Sequence, residues 1–298
     1  MTIIWILLAL LLVLILWTQL EQRILTSKKY TIESNTVGKD LHGLSFLLLS
    51  DIHNKSFGKN NRRLIKRIIE QKPDFVIIAG DMVVKRKPCY PGKAYSLIKE
   101  ISEHYPIYYA YGNHEQYFED LALKDAENIK QRSLYESWCL YKEKLNELGV
   151  FLLDNNNVML KYKDNSIDIA GLSISMDFYE NSKIALNKKD EITSKIGKRS
   201  KEGYQILIAH NPIYFSDYVH WGADLVLSGH IHGGLIRIPF LGGLISPQVK
   251  LFPKYDAGLF EEDSCRMVVS RGLGNHSIMP RILNPPELVH IKLLTKAD

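Results

Sequence analysis

Hydrophobic positions along the 298-residue chain fall into two patterns. From Ile3 to Trp17 every side chain is apolar, and Met1–Leu20 carries no charge, with Thr2, Thr18 and Gln19 as its only polar side chains. From about Leu44 onward the apolar residues come instead in short runs bounded by turn residues. These are Leu44–Ser50, Asp74–Gly80, Pro106–Tyr111, Ser166–Leu172, Tyr204–Ala209, Asp224–Ser228, Met267–Ser270 and Leu288–Leu293. Runs of this length, rich in Ile, Leu and Val, predict buried strands. Asn60–Gln71 places Leu64, Ile65, Ile68 and Ile69 on one face and predicts a helix, as do Pro91–Ser102 and Leu134–Leu148. A charged stretch, Tyr117–Lys144, also reads as helical. Strand–helix–strand alternation predicts an α/β domain with helices on the faces of a sheet.

The N-terminal run needs its own reading. Twenty residues of helix span about 30 Å, the thickness of a hydrocarbon core. A signal peptide would carry Lys or Arg before the run and small residues at a cleavage site. Here no basic side chain precedes Ile3, and Trp17-Thr18-Gln19-Leu20 is bulky. A buried core helix is rarely apolar on every face. The segment is therefore expected to be an uncleaved single-pass anchor in the cell membrane, with Trp5 and Trp17 near the two interfaces. Arg23, Lys28 and Lys29 follow it, so the positive-inside rule places the rest of the chain in the cytoplasm. The expected organisation is an anchor over 1–20, a juxtamembrane segment with a first strand over 21–43, and one domain over 44–298.

Composition narrows the class. With 38 Lys+Arg against 33 Asp+Glu, a formal charge of +5 and 46% hydrophobic residues, the chain is neither disordered nor collagen-like nor a disulfide miniprotein. Cys89, Cys139 and Cys265 are odd in number and form no C-x-x-C pair, which fits a reducing compartment and equally one exposed thiol in an oxidising one. Segment 181–202 holds Lys183, Lys188, Lys189, Lys195, Lys198, Arg199 and Lys201. Such a run reads first as solvated surface and second as attraction to anionic lipid or phosphate.

The chemistry lies where the strands end. Asp51-Ile52-His53 follows the first run, Gly80-Asp81 the second and Gly112-Asn113-His114-Glu115 the third. His210-Asn211-Pro212 and Gly229-His230-Ile231-His232 follow two later ones. In α/β sheets ligands bind beyond the carboxyl ends of strands. Of ten histidines, His53, His114, His210, His230 and His232 directly follow strand runs; His42, His104, His220, His276 and His290 do not. Any one D-x-H or H-x-H is unspecific, and a single His is more often structural than a ligand. Together they bring imidazole, carboxylate and amide donors to one edge, a mixture suited to Zn, Mn or Fe. No nearby Cys suggests a structural zinc site, and no G-x-S-x-G nucleophile is present.

In this order the blocks resemble those of the calcineurin-like metallophosphoesterase family, over roughly residues 44–293. The N-terminal span, His232-Gly233-Gly234, Arg237-Ile238-Pro239 and Ser270-Arg271-Gly272-Leu273-Gly274 look most like its bacterial membrane-associated branch, similar to UDP-2,3-diacylglucosamine hydrolases. The resemblance implies two packed β-sheets flanked by helices and a binuclear centre of two divalent metal ions. Asp51, His53 and His232 would hold the first ion, Asn113, His210 and His230 the second, and Asp81 would bridge them. A hydroxide between the ions would attack the phosphorus, and His114 would protonate the leaving oxygen, oriented by Glu115 or by a backbone group. The chain departs from the family pattern at Val84, where many members carry a further Asp, and at Leu235, where close relatives often carry Gln.

The motifs imply a reaction class rather than a substrate. The anchor makes a lipid-linked phosphoester or pyrophosphate the economical expectation, for example a UDP-diacylglucosamine-like molecule of lipid A-type metabolism. The apolar segment Gly233–Pro247 reads either as a greasy entrance or as buried strand and turn, and Arg237 and Arg271 as phosphate contacts or surface residues. A nucleotide or nucleic-acid phosphodiesterase is the alternative enzyme, to be told apart by steeply salt-dependent activity on single-stranded DNA. No aromatic-interleaved basic stripe favours nucleic acid. A protein phosphatase has no positive signal. A non-catalytic, membrane-tethered binding protein is the reading from another class; bound metals without any hydrolysis would identify it.

Overall fold

The computed structural model describes residues 1–123, 129–180, 189–200, 202–275 and 280–296. The chain opens with helix α1 (Thr2–Glu21), followed by strands β1 (Thr26–Ser34) and β2 (Ser45–Leu49). Helix α2 (Arg62–Gln71), strand β3 (Phe75–Ala79), helix α3 (Lys93–Ser102), strand β4 (Ile107–Ala110) and helices α4 (Asn113–Leu123) and α5 (Ile129–Glu147) complete the first half. Strands β5 (Phe151–Leu153), β6 (Asn156–Tyr162) and β7 (Asn165–Leu172) lead to short helix α6 (Asp177–Glu180) and helix α7 (Lys189–Ile196). Then come β8 (Tyr204–Ala209), α8 (Phe215–Trp221), β9 (Leu225–Ser228), β10 (Ile236–Ile238) and β11 (Gly242–Ile245). Strands β12 (Gly258–Glu262), β13 (Cys265–Val269) and β14 (Glu287–Thr295) end the fold.

Two six-stranded sheets form, in the orders β1-β14-β2-β3-β4-β5 and β12-β13-β9-β8-β7-β6, with β10 and β11 as a separate hairpin. Strands β2, β3, β4 and β5 run parallel in one sheet and β7, β8, β9 and β13 in the other. The period-two alternation of side chains explains why the strand sequences are continuously apolar. Phe46, Leu48, Phe75 and Ile77 face the second sheet and meet Ile167, Ile206, Ile208 and Leu227 in a middle core. Leu47, Leu49, Val76 and Ile78 face the other way, onto Leu64 and Ile68 of α2, Leu97 and Ile101 of α3 and Trp138 of α5. The second sheet's outer face packs Leu207, Val226 and Met267 against Ile192 of α7 and Tyr218 and Trp221 of α8. Burying one such side chain contributes roughly 1.5–3 kcal/mol, so three full layers of contact hold the strand ends in fixed relation. The mixed α/β fold with two packed sheets flanked by helices is the one expected.

All eight expected strand runs form strands. Edge strands β6 and β12 went unread because only alternate positions are covered; the exposed positions of β6 interrupt any apolar run. Segment 233–247 is neither wholly buried nor a plain loop. It contains the β10–β11 hairpin, whose turn exposes Phe240 and Leu241. Strand β1 pairs in parallel with β14, from Thr26 opposite Glu287 to Ser34 opposite Thr295.

Helix α1 is long and apolar enough to cross a membrane. Only Thr18 and Glu21 of it are buried, which removes the core-helix reading. Its end is fastened to the domain: Leu283 N–H donates to Glu21 Oε2 (2.9 Å), and Lys55 Nζ donates to the Gln22 carbonyl (2.6 Å). Of the basic run, residues 181–188 and 201 lie outside the described residues; Arg199 pairs with Asp224 (2.9 Å).

Candidate metal centre

Asp51 and His53 follow β2, Asp81 follows β3, and Asn113 and His114 begin α4 directly after β4. His210 follows β8, and His230 and His232 follow β9. The first five residues come from one sheet and the last three from the other, so they meet across the carboxyl edge of the stack. All eight are buried. The turns that deliver them are tight. Asp51, His53, Asp81, His230 and His232 have φ of 51°, 48°, 57°, 72° and 54°. Left-handed backbone at non-glycine residues costs on the order of 1 kcal/mol or more each and persists where the surroundings over-determine it.

The side-chain atoms converge. Asp51 Oδ1 lies 3.4 Å from His232 Nε2 and 3.7 Å from His210 Nε2. Asp81 Oδ2 lies 3.3 Å from His210 Nε2, 3.7 Å from His53 Nε2 and 3.9 Å from His114 Nε2. His53 Nε2 and His232 Nε2 are 3.2 Å apart. Asp51, His53 and His232 form one compact trio of donors, Asp51, Asp81 and His210 a second, and His53, Asp81 and His114 a third. Beside them, His230 Nδ1 lies 3.0 Å from Asn113 Oδ1, and the His230 ring stands 5.2 Å from that of His210.

His210 tests whether a cation fits. Its Nδ1 lies 2.6 Å from the Ala79 carbonyl oxygen, which can only accept, so Nδ1 carries the proton. In a neutral ring the Nε2 lone pair then faces the carboxylates of Asp51 and Asp81. That arrangement is repulsive unless the ring is protonated or a cation lies between. Burial disfavours the charged ring, but Asp81 and Asp51 outweigh it and raise its pKa to about 10. Burial, followed by the repulsion of Asp81, pushes Asp51 up to about 6 despite His210. Burial acts in the same sense on Asp81, but His114, His210 and His53 outweigh it and hold its carboxyl well below the usual carboxylate range. Two crowded, dry carboxylates ringed by imidazoles are a donor set that divalent cations complete.

Glu115 does not orient His114. It is fully buried, and its carboxylate accepts from the backbone N–H groups of Asp81 (2.8 Å), Met82 (2.9 Å), Val83 (3.4 Å) and Gly112 (3.0 Å) and from the Tyr109 hydroxyl (2.7 Å). It therefore holds the Asp81 turn. His114 is oriented by backbone instead: its Nδ1 accepts from Lys85 N–H (3.0 Å), which leaves the proton of the neutral ring on Nε2. Gly112 is a contact requirement. A Cβ there would collide with Asp81 Oδ1 and lie 2.7 Å from Asp81 N. Gly112→Ala is expected to displace the Asp81 carboxylate and weaken divalent-metal binding by at least tenfold in a calorimetric titration; unchanged affinity would mean that the turn absorbs the methyl.

Other groups carried no motif. Tyr179, Met176, Lys85, Pro247 and Gln248 help line a cleft of about 150 Å³ over Asp81, Asn113, His230 and His232. Gln248 Nε2 is 2.8 Å from His230 Nε2, and the Tyr179 ring is 5.0 Å from that of His230. Their segments lack periodicity, so no sequence signal marks them. Arg237 pairs with Asp256 (2.8 Å) and Arg271 with Glu287 (3.4 Å), which fixes both as structural ion pairs outside this cleft. Gly272 and Gly274 let the loop after β13 lie against the Asp51 turn, where Gly274 N–H donates to the Asp51 carbonyl (2.6 Å).

Known proteins resemble the chain in sequence. The family model described as calcineurin-like phosphoesterase matches residues 44–234, a span that holds every strand-end block. The uncharacterized metallophosphoesterase YkuE of Bacillus subtilis (strain 168) is 25% identical over 273 residues, covering 90% of this chain and 85% of its own. An uncharacterized metallophosphoesterase of Aquifex aeolicus (strain VF5) is 26% identical over 285 residues, covering 95% and 97%. The UDP-2,3-diacylglucosamine pyrophosphatase LpxG of Chlamydia trachomatis serovar D is 24% identical over 297 residues, covering 85% and 84%. With its carboxylates and imidazoles gathered at the strand ends and that match over most of the domain, the chain belongs to the calcineurin-like phosphoesterase family and is a hydrolase of phosphoester bonds.

Proposed function

We propose that the chain is a binuclear-metal phosphohydrolase held at a membrane and acting on a lipid-linked phosphoester or pyrophosphate. Asp51, His53 and His232 would hold one divalent ion and Asn113, His210 and His230 the other, with Asp81 available to both. When bound, such a pair polarises a phosphoryl group and makes water acidic enough to attack at neutral pH. The observation that carries this reading is geometric: with Nδ1 of His210 held by the Ala79 carbonyl, its Nε2 converges with the carboxylates of Asp81 (3.3 Å) and Asp51 (3.7 Å), a buried donor set that divalent cations would complete.

The chain's own residues do the rest. The Nε2 proton of His114 faces the Asp81 carboxylate and is placed to pass to a departing oxygen. Gln248 and Tyr179 fix the plane of His230. His114→Ala is expected to leave metal content intact while lowering kcat by about 10²- to 10⁴-fold, the usual scale of general acid catalysis, with the larger losses on poor leaving groups. Loss of metal from the variant would make His114 a ligand instead.

A lipid-linked substrate is supported by the surroundings of the site. A cavity of about 680 Å³ is lined by Leu11, Leu14 and Ile15 of α1 and by Lys55, Asn275 and Pro280. Asn275 and Pro280 also border a small recess against His232. An apolar chain lying along α1 would thus bring its head group toward His232. The relative LpxG is named for a UDP-2,3-diacylglucosamine substrate. Arg23, Lys28 and Lys29 favour a cytoplasmic domain. The test is to incubate metal-loaded protein in lipid nanodiscs with membrane lipid extract, nucleotides and single-stranded DNA, and to follow products by mass spectrometry. Release of a phosphate or nucleotide from lipid species is expected; turnover of water-soluble esters alone would overturn the lipid reading.

A further inference from the structure

The hairpin beyond the metal centre carries apolar side chains that the domain does not cover. Phe240 at its turn is fully exposed, and Leu241, Val249, Leu251 and Phe252 are 71%, 76%, 67% and 59% exposed. Leaving each in water forfeits the free energy that burial of its apolar surface would return. Exposed apolar residues scattered singly need no explanation, but these lie on adjoining backbone segments. Loop 246–252 folds back onto β11 through Ser246 N–H to the Lys250 carbonyl (2.8 Å) and Phe252 N–H to the Leu244 carbonyl (2.9 Å). Strand β11 pairs with β10, and β10 is bonded to the next segment through Arg237 N–H to the Ile282 carbonyl (3.0 Å). The following residue, Leu283, is half-exposed and is the one whose N–H donates to Glu21 at the end of α1. A ribbon of adjacent backbone strips thus runs from Phe252 to α1, where Leu20 and Ile24 are also exposed.

Charge identifies what covers the ribbon. Between Leu235 and Tyr255 there is no acidic residue, while Lys250 and Lys254, both exposed, flank Leu251 and Phe252. Apolar side chains dipped below lysines that reach back to phosphates are the pattern of an interfacial membrane contact. We propose that the β10–β11 hairpin and loop 246–252 form a second contact with an anionic lipid surface, beside α1, that seats the metal-bearing edge against the bilayer. The proposal rests on the reading of α1 as a membrane span. Its consequence for the site is direct: β10 begins just beyond His232-Gly233-Gly234, and Pro247 and Gln248 of the same loop line the cleft.

Fluorescent labelling of the full chain tests it. In a Cys139→Ser background, Cys89 and Cys265 are buried and their thiols are pushed up by that burial, so a thiol-reactive nitrobenzoxadiazole probe goes to the introduced site. Four variants are compared: Phe240→Cys and Phe252→Cys in the ribbon, Leu14→Cys in α1, and Glu103→Cys at the amino edge of the first sheet. Each is reconstituted in phosphatidylcholine–phosphatidylglycerol nanodiscs with and without nitroxide-labelled lipid. Expected is loss of most emission at 240, 252 and 14, and none at 103. Quenching at 14 with 240 and 252 behaving like 103 would overturn the second contact while leaving the span. Absence of quenching at all four would remove the span and the contact together. A blue shift at 240 and 252 without quenching would mean that protein, not lipid, covers the ribbon, and quenching at 103 as strong as at 240 would mean that the ribbon is not a specific contact.

Discussion

Asp81→Asn is expected to lower kcat/KM on a chromogenic phosphodiester by about two to three orders of magnitude, the scale on which one missing charge-stabilising group acts. Bound metal should fall with it when counted by mass spectrometry of the purified protein. The substitution isolates charge from shape. Asparagine still offers Oδ1 to His114 N–H, which bonds Asp81 Oδ1 at 2.9 Å, and the backbone of residue 81 keeps its bond to Glu115. What is lost is the negative charge that His210, His53 and His114 surround within 4 Å. A variant that keeps both its metal and its turnover would show that Asp81 is a structural hydrogen-bond acceptor and would remove it from between the ions.

Glu115→Ala is expected to be the most destabilising single change near the centre. It strips the acceptor from four buried backbone N–H groups and a buried tyrosine hydroxyl. Each such group left unpaired costs about 1–3 kcal/mol. Even with water entering the gap, a loss of at least about 3 kcal/mol in urea unfolding is expected, a magnitude reserved for broken buried networks. Glu115→Gln should fall between the two, because its amide replaces one acceptor with a donor facing two N–H groups. A midpoint unchanged in Glu115→Ala would show that the network is relaxed rather than held by the carboxylate.

The sequence made the centre legible because parallel strands advertise themselves. A strand buried on both faces is apolar throughout, so the first Asp or His after the run marks its carboxyl end, as Asp51, Asp81, His210 and His230 do. Of the two orienting groups expected for His114, Glu115 or backbone, the contact found is backbone, for a geometric reason. Successive residues on a helix point about 100° apart, so His114 and Glu115, adjacent at the start of α4, serve different neighbours: one meets the Lys85 N–H and the Asp81 carboxylate, the other the backbone of the Asp81 turn. Gln248 and Tyr179 lie beyond sequence reasoning because nothing local couples them to His230; only the folded course of their loops does. Arg237 and Arg271 read equally as phosphate contacts or surface residues, because their carboxylate partners, Asp256 and Glu287, lie too far along the chain for spacing to indicate the pairing.

The parallel pairing of β1 with β14 sets an order of events during synthesis. The ribosome delivers α1 and β1 early and β14 late, so β1 has no partner until nearly all of the domain has emerged. Closing that contact requires the longest loop in the fold. Until then β1 is an open edge, exposed to wrong partners. Its closure joins the last strand to the residues that leave the helix, so a polypeptide interrupted before residue 287 would lack that partner and stay unfinished, a substrate for quality-control proteases rather than a partly working hydrolase.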